Sequence, residues 1–130
     1  MDEAGRFAYF TAAKDGPLQR QLYRVRLEGG AVEKITSEVG WHDTTFSGDG
    51  RWFVDIQQSA GTPPRASLRE RSGLLKRLLD PNQDPEVQAL SLKPPEFVTL
   101  RAADGTLLHG AIYKPAIEPG RRYPALVRVY

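Results

Sequence analysis

The chain has 130 residues, 40% of them apolar and 26% charged, the balance of one ordinary globular domain. No apolar run approaches the roughly 20 residues of a membrane span, and the absence of cysteine excludes disulfides, thiolate zinc sites and cysteine nucleophiles. Eighteen basic against sixteen acidic residues leave a net charge of +2. The basic residues form no stripe with interleaved aromatics, which argues against a nucleic-acid partner.

In chain order the first 80 residues read as short strands cut by turns. Met1 to Gly5 has neither a basic nor an apolar leader region, so no signal peptide is expected. Phe7 to Ala13 predicts a strand, and Lys14-Asp15-Gly16-Pro17 a turn. Leu22 to Leu27 alternates in polarity as a half-buried strand should. Further strands are predicted at Val32 to Thr36, Thr44 to Ser47, Trp52 to Gln57, Ala66 to Glu70 and Leu74 to Leu79. The turns between the later ones are Gly48-Asp49-Gly50, Gly61 to Pro64 and Ser72-Gly73.

A weak repeat runs through this part. Gly5-Arg6-Phe7 and Gly50-Arg51-Trp52 stand 45 residues apart. Each copy opens an aromatic strand, followed by a Gly/Pro turn, an Arg-bearing strand, a Gly turn and a last strand. A period of roughly 40–50 residues with four strands each is that of propeller blades; two unrelated meanders with common turn residues would look similar.

Beyond residue 80 the pattern changes. Asp84 is a good N-cap and Pro85 suits the first helical position, so a short helix to about Leu90 is predicted. Lys93-Pro94-Pro95 reads as a linker. Strands at Glu96 to Arg101 and Leu107 to Tyr113 flank Ala103-Asp104-Gly105, whose Asp-Gly pair favours a tight hairpin turn. Lys114 to Arg122 is a polar loop. Pro124 to Tyr130 is nearly continuous apolar, like a strand covered on both faces. It reaches the last residue without a closing turn, as expected of a chain that is part of a longer one.

Three stretches together resemble the dipeptidyl peptidase IV branch of the prolyl oligopeptidase family. Gly40-Trp41-His42, then Phe46 to Asp55 and Thr62-Pro63-Pro64, resembles the last propeller blade of bacterial members. Ala103 to Leu107 with Tyr113-Lys114-Pro115 is similar to the entry hairpin of the family's α/β-hydrolase domain. Tyr123 to Tyr130 is similar to a hydrolase strand that runs into a Gly-rich turn. The resemblance implies a mainly β chain with terminal β-propeller blades at 1–80, a linker with a short helix at 81–94, and the first strands of an α/β-hydrolase at 95–130. It further implies a serine peptidase that cleaves short peptides after a penultimate proline through an acyl-enzyme. The 130 residues hold no Gly-x-Ser-x-Gly elbow, so the chain alone is expected to be inactive.

The resemblance carries one site residue, Tyr130, whose hydroxyl would donate to the oxyanion of the tetrahedral intermediate. No cofactor or metal is implied; the partner is a peptide substrate, and a homo-oligomer and the compartment stay open. His42 and Asp43 are adjacent but point to opposite faces if they lie on a strand, and His42 is expected as a loop residue beside Trp41 on the propeller rim. His109 is expected on a hairpin surface. The two histidines have no metal-ligand spacing. Asp49-Gly50 and Asp104-Gly105 read as turns rather than calcium sites. Two other readings stand beside the peptidase. One is a β-rich interaction module whose open strand edges pair with another chain. The other is a glycan-binding domain that uses Trp41 and Trp52, although Trp52 falls on a predicted strand and suits the core.

Overall fold

A computed structural model describes residues 6–116 and 118–129. They form nine strands and one helix: β1 (Phe7–Ala12), β2 (Gln21–Arg26), β3 (Glu33–Lys34), β4 (Trp41–Phe46), β5 (Trp52–Ser59), β6 (Thr62–Glu70), β7 (Leu75–Asp80), α1 (Pro85–Ala89), β8 (Glu96–Arg101) and β9 (Leu107–Ile112). The mainly β expectation holds, and all strand pairs are antiparallel. The chain divides into two compact units, Met1–Leu92 and Lys93–Tyr130. None of the helices among the described residues is long and apolar enough to cross a membrane.

The first unit holds two meanders, β1-β2-β3 and β4-β5-β6-β7. The sequence repeat maps onto them in register: β1 and β5 begin 45 residues apart, at Phe7 and Trp52, and each is followed by two further strands of its own sheet. The strand β4 has no counterpart among the described residues of the first sheet.

A continuous run of rings joins the sheets. Phe7 lies 6.5 Å from Tyr9, Tyr9 4.7 Å from Phe46 and Phe46 5.1 Å from Phe53, centroid to centroid. Among the described residues, Phe53, Leu22 and Tyr23 are the buried apolar ones. Burying each of them stabilises by roughly 1.5–3 kcal/mol.

Several boundaries differ from expectation for identifiable reasons. Strand β3 is only two residues long because the Thr36 hydroxyl, not a backbone carbonyl, accepts the Leu22 N–H at 2.9 Å. Strand β4 starts three residues early because the His42 N–H donates to the Arg20 carbonyl at 2.9 Å, stitching β4 to the start of β2. Gly61 to Pro64 is not a turn throughout: β6 already begins at Thr62. Pro63 and Pro64 fall where the β5–β6 register shifts between Gln57 and Ser59, a place in a sheet where a missing N–H is tolerated.

The helix is as read. Asp84 Oδ1 accepts the Glu86 N–H at 2.8 Å and Pro85 opens the first turn.

In the second unit the β8–β9 hairpin closes through a Gly105 N–H bond to the Ala102 carbonyl at 2.9 Å. Gly105 has φ +88°, the left-handed geometry that glycine adopts freely. The buried strand expected from Pro124 onward is not found among the described residues of that segment. Residues 121–129 have no regular structure, and Leu126, Val127 and Val129 are at least 86% exposed. A strand covered on both faces needs neighbours to pair with, and none of the described strands pairs with this segment.

Candidate functional site

The face of β4-β5-β6 that turns inward is polar. Strand alternation puts His42 of β4, Phe53, Asp55 and Gln57 of β5, and Ser67 and Arg69 of β6 on it, and all six are buried. The register explains the contacts. His42 stands opposite Gln57 and Thr44 opposite Asp55, so His42 and Asp55 are diagonal neighbours, within reach across a strand pair. Phe53 stands opposite Arg69 and Asp55 opposite Ser67, which makes Asp55 and Arg69 diagonal neighbours as well.

His42 is fully buried, with Nδ1 2.9 Å from Asp55 Oδ1 and Nε2 2.9 Å from the Glu38 carbonyl oxygen. Arg69 Nε lies 3.1 Å from Asp55 Oδ2, at ion-pair distance but without hydrogen-bond geometry. The Arg69 guanidinium also pairs with the Glu38 carboxylate and donates to the Gly73 carbonyl at 3.1 Å. Imidazole, carboxylate, guanidinium and carboxylate thus alternate, so that each buried charge has a partner, the condition under which buried ions are tolerated.

Burial pushes the His42 pKa down. The Asp55 carboxylate, the Glu38 carbonyl and the Glu38 charge push it up and prevail, so the net direction is upward from 6.5. Burial likewise pushes Glu38 up, but Arg69 and the local N–H groups prevail and hold it below 4.5.

The cluster fastens the crossover between the two sheets, residues 35–40. The Glu38 carbonyl accepts from His42 and also from Gln21 Nε2 of β2 at 2.9 Å. The Val39 carbonyl accepts from Gln57 Nε2 at 2.8 Å, and the Gly40 carbonyl from the Arg20 N–H at 3.0 Å. Gly40 has φ +130°, and a Cβ there would meet the Gln58 carbonyl oxygen at 2.2 Å.

This arrangement does not suit acid–base chemistry. Both ring nitrogens of His42 are engaged, and the nearby Ser67 hydroxyl bonds the Asp55 backbone carbonyl at 3.5 Å instead of the imidazole. A catalytic base needs a free nitrogen within reach of the proton that it takes.

The expected residues fall as follows. Tyr130 lies outside the described residues. His42 is not a loop residue on a rim; it is in the middle of the buried polar face, because β4 begins before it. Asp43 points the other way, as alternation requires, and forms an ion pair with Arg20 at 3.5 Å. His109 lies exposed on β9, its Nδ1 3.4 Å from Thr99 Oγ1.

Asp49 accepts from the Ser47 hydroxyl at 2.7 Å and the Arg51 N–H at 3.1 Å, and Asp104 from the Thr106 N–H at 2.9 Å. Both are turn residues. Trp52 is half-buried, whereas Trp41 is 41% exposed under the Arg20 guanidinium, 5.4 Å from the ring centre. No group of three or more His, Asp or Glu among the described residues could hold a metal. A groove of about 500 Å³ lies between the two sheets, lined by Tyr9, Phe10, Phe46, Arg20, Asp43 and Thr44 among others.

Sequence reasoning missed Asp55, Arg69 and Glu38. The available signal was polarity at alternate positions, with Asp55, Gln57, Ser67 and Arg69 each two residues apart within their strand. It points to a polar face without saying that the face is buried.

Residues 1–64 match the family model of the dipeptidyl peptidase IV N-terminal region. Dipeptidyl peptidase 8 of Homo sapiens is 27% identical over an alignment that covers the whole chain and 16% of that protein. The probable dipeptidyl-aminopeptidase B of Emericella nidulans is 30% identical, over 94% of the chain and 14% of that protein. The crystal structure of Porphyromonas gingivalis dipeptidyl peptidase 4 superposes with a TM-score of 0.83 at 26% identity, over 95% of the chain and 18% of the solved one. The chain therefore spans less than a fifth of the length of each of these relatives, and the alignments cover nearly all of it from end to end. By these matches, the chain is similar to dipeptidyl peptidases of the dipeptidyl peptidase IV type along nearly its whole length.

Proposed function

We propose that the chain is the segment of a serine-type dipeptidyl peptidase where the β-propeller hands over to the catalytic α/β-hydrolase domain. Residues 1–80 then form terminal blades, 81–94 the linker and 95–130 the first hydrolase strands. The observation that carries this reading is the superposition on Porphyromonas gingivalis dipeptidyl peptidase 4, which extends through both units of the chain. The exposed apolar residues add support. Leu75, Leu78 and Leu79 on β7, and Leu126, Val127 and Val129 in the last segment, all lie open, which suits a stretch that further chain would cover.

The parent enzyme would release dipeptides after a penultimate proline through an acyl-serine. In that setting Tyr130 donates its hydroxyl to the oxyanion. A donor fixed where negative charge develops lowers the barrier, and losing one costs ~10²–10³ in rate. The buried His42 takes no part, because its nitrogens are engaged.

The test is hydrolysis of a chromogenic Xaa-Pro dipeptide by the complete reading frame. We expect activity that a serine-directed phosphonate abolishes, and a loss of ~10²–10³ in kcat for Tyr130→Phe with little change in KM. A complete reading frame that binds but never hydrolyses such substrates would overturn the reading and leave a β-rich interaction module. The 130-residue chain alone is expected to be inactive.

A further inference from the structure

The crossover 35–40 is held from both sides by side chains, and one of them can lose a proton near physiological pH. Glu38 contributes its carbonyl to Gln21 and His42, and its carboxylate to Arg69. His42 has an acceptor on each side: the Asp55 carboxylate at Nδ1 and the Glu38 carbonyl at Nε2.

Neither acceptor can donate back. A carbonyl oxygen has no proton, and an ionised carboxylate only accepts. Both contacts are hydrogen bonds only when the ring carries two N–H groups. A neutral imidazole has one, so one lone pair would then face an oxygen lone pair at 2.9 Å in a site that water does not reach. Leaving a buried polar atom facing a like one is costly.

The groups packed around the ring are few. Asp55 and Gln57 face it from β5, Ser67 and Arg69 from β6, and Glu38 from the crossover. Arg65 reaches the same face through Gln57 at 2.9 Å, and Gln21 comes from β2. Trp41 and Asp43, its neighbours on β4, point away. Guanidinium groups do not deprotonate in proteins, which leaves the imidazole as the group that loses a proton as pH rises.

We propose that His42, Asp55, Arg69 and Glu38 form a proton-operated latch on the crossover, closed while the imidazole carries both protons and opened by the loss of one. Opening leaves the Glu38 carbonyl with Gln21 as its remaining side-chain donor and loosens the seam where Arg20 and His42 donate across the join, to Gly40 and Arg20 respectively. The sheets β1–β3 and β4–β7 each keep their own ladders. The latch therefore acts on the join between consecutive meanders, not on either meander. The Asp55 carboxylate and the Glu38 carbonyl also outweigh burial and raise the His42 pKa, the direction that favours the closed latch.

The experiment is long-range ¹H–¹⁵N NMR of the histidine ring in the full 130-residue chain bearing His109→Gln, which removes the exposed second histidine. Amide protection factors are followed across the same pH series. We expect both His42 nitrogens to be protonated at neutral pH. Where one proton leaves, protection at Arg20 and His42 should fall at least ~10-fold relative to β5 and β6 amides.

A single neutral tautomer at neutral pH would overturn the proposal, as would seam protection that does not change when the ring deprotonates. His42→Gln sharpens the test, because its amide cannot titrate and its seam should lose the pH response. A response that persists in it assigns the effect to another group and also overturns the latch. If that variant does not fold, the wild-type ring titration decides alone.

Discussion

The β4–β7 sheet and the β8–β9 hairpin are both antiparallel and rich in strand-forming residues, yet they are held in different ways. In the sheet, alternate residues of three strands are buried, and each buried polar group reaches across to the next strand or to the crossover. In the hairpin only Val98 and Gly110 are even half-covered. Its specific ties are the backbone ladder, the Ala102–Gly105 turn, and side-chain contacts at its ends such as Lys114 with Glu96. Strand propensity is common to both regions; what differs is whether a second layer lies against the strands. An isolated two-stranded hairpin is marginal in water, whereas a sheet packed on another can bury even ions if every one is paired.

The largest effect should come from breaking the polar face. Asp55→Ala leaves the Arg69 guanidinium and the His42 ring buried without the carboxylate between them. Unpairing a buried charge costs about 3–5 kcal/mol. Urea denaturation followed by Trp fluorescence should show the first unit lose that much, and a loss below 1 kcal/mol would mean that the cluster is not sealed. Gly40→Ala attacks the same region through the backbone. Its Cβ would collide with the Gln58 carbonyl in a left-handed conformation, and the same denaturation assay should show a cost of roughly 2 kcal/mol.

A pH series tests the comparison more gently. The folded pKa of His42 is raised above 6.5, so its stabilising contribution is fully present below that value. It is lost as pH rises through the folded pKa. Glu38 has the opposite sign: its folded pKa is lowered from 4.5, so its contribution holds above that value and is lost on acidification. Denaturation midpoints of the first unit should therefore decline on both sides of a plateau, and the alkaline decline should vanish in His42→Gln.

The smallest effect belongs to the hairpin. Leu108 is 50% exposed, and Leu108→Ala should change the chain's stability by less than ~0.5 kcal/mol. A loss of 2 kcal/mol or more in calorimetry would show the hairpin packed as firmly as the sheet and would end the contrast.

Several features were legible in the residues themselves. Asp84-Pro85 announces the helix because a carboxylate that accepts an N–H and a preset φ act locally. Gly105 marks the hairpin turn because only local backbone geometry is at stake. The 45-residue repeat foretold the spacing of β1 and β5. The family resemblance of the quoted motifs agrees with the matches to dipeptidyl peptidases.

The burial of His42 was not legible, nor were its partners Asp55, 13 residues away, and Arg69, 27 residues away. Their meeting depends on the register of two strand pairs, and a slip of one residue would turn each of them to the opposite face. The length of β3 depended on which oxygen met the Leu22 N–H. The apolar segment 124–129 reads as a covered strand, but covering is a property of neighbours. Turns, caps and periodicity follow from interactions within a few residues of chain, so the sequence by itself determines them. Which face is buried, which charges meet and which apolar stretch becomes a strand depend on surfaces distant in sequence. Only the tertiary structure decides these.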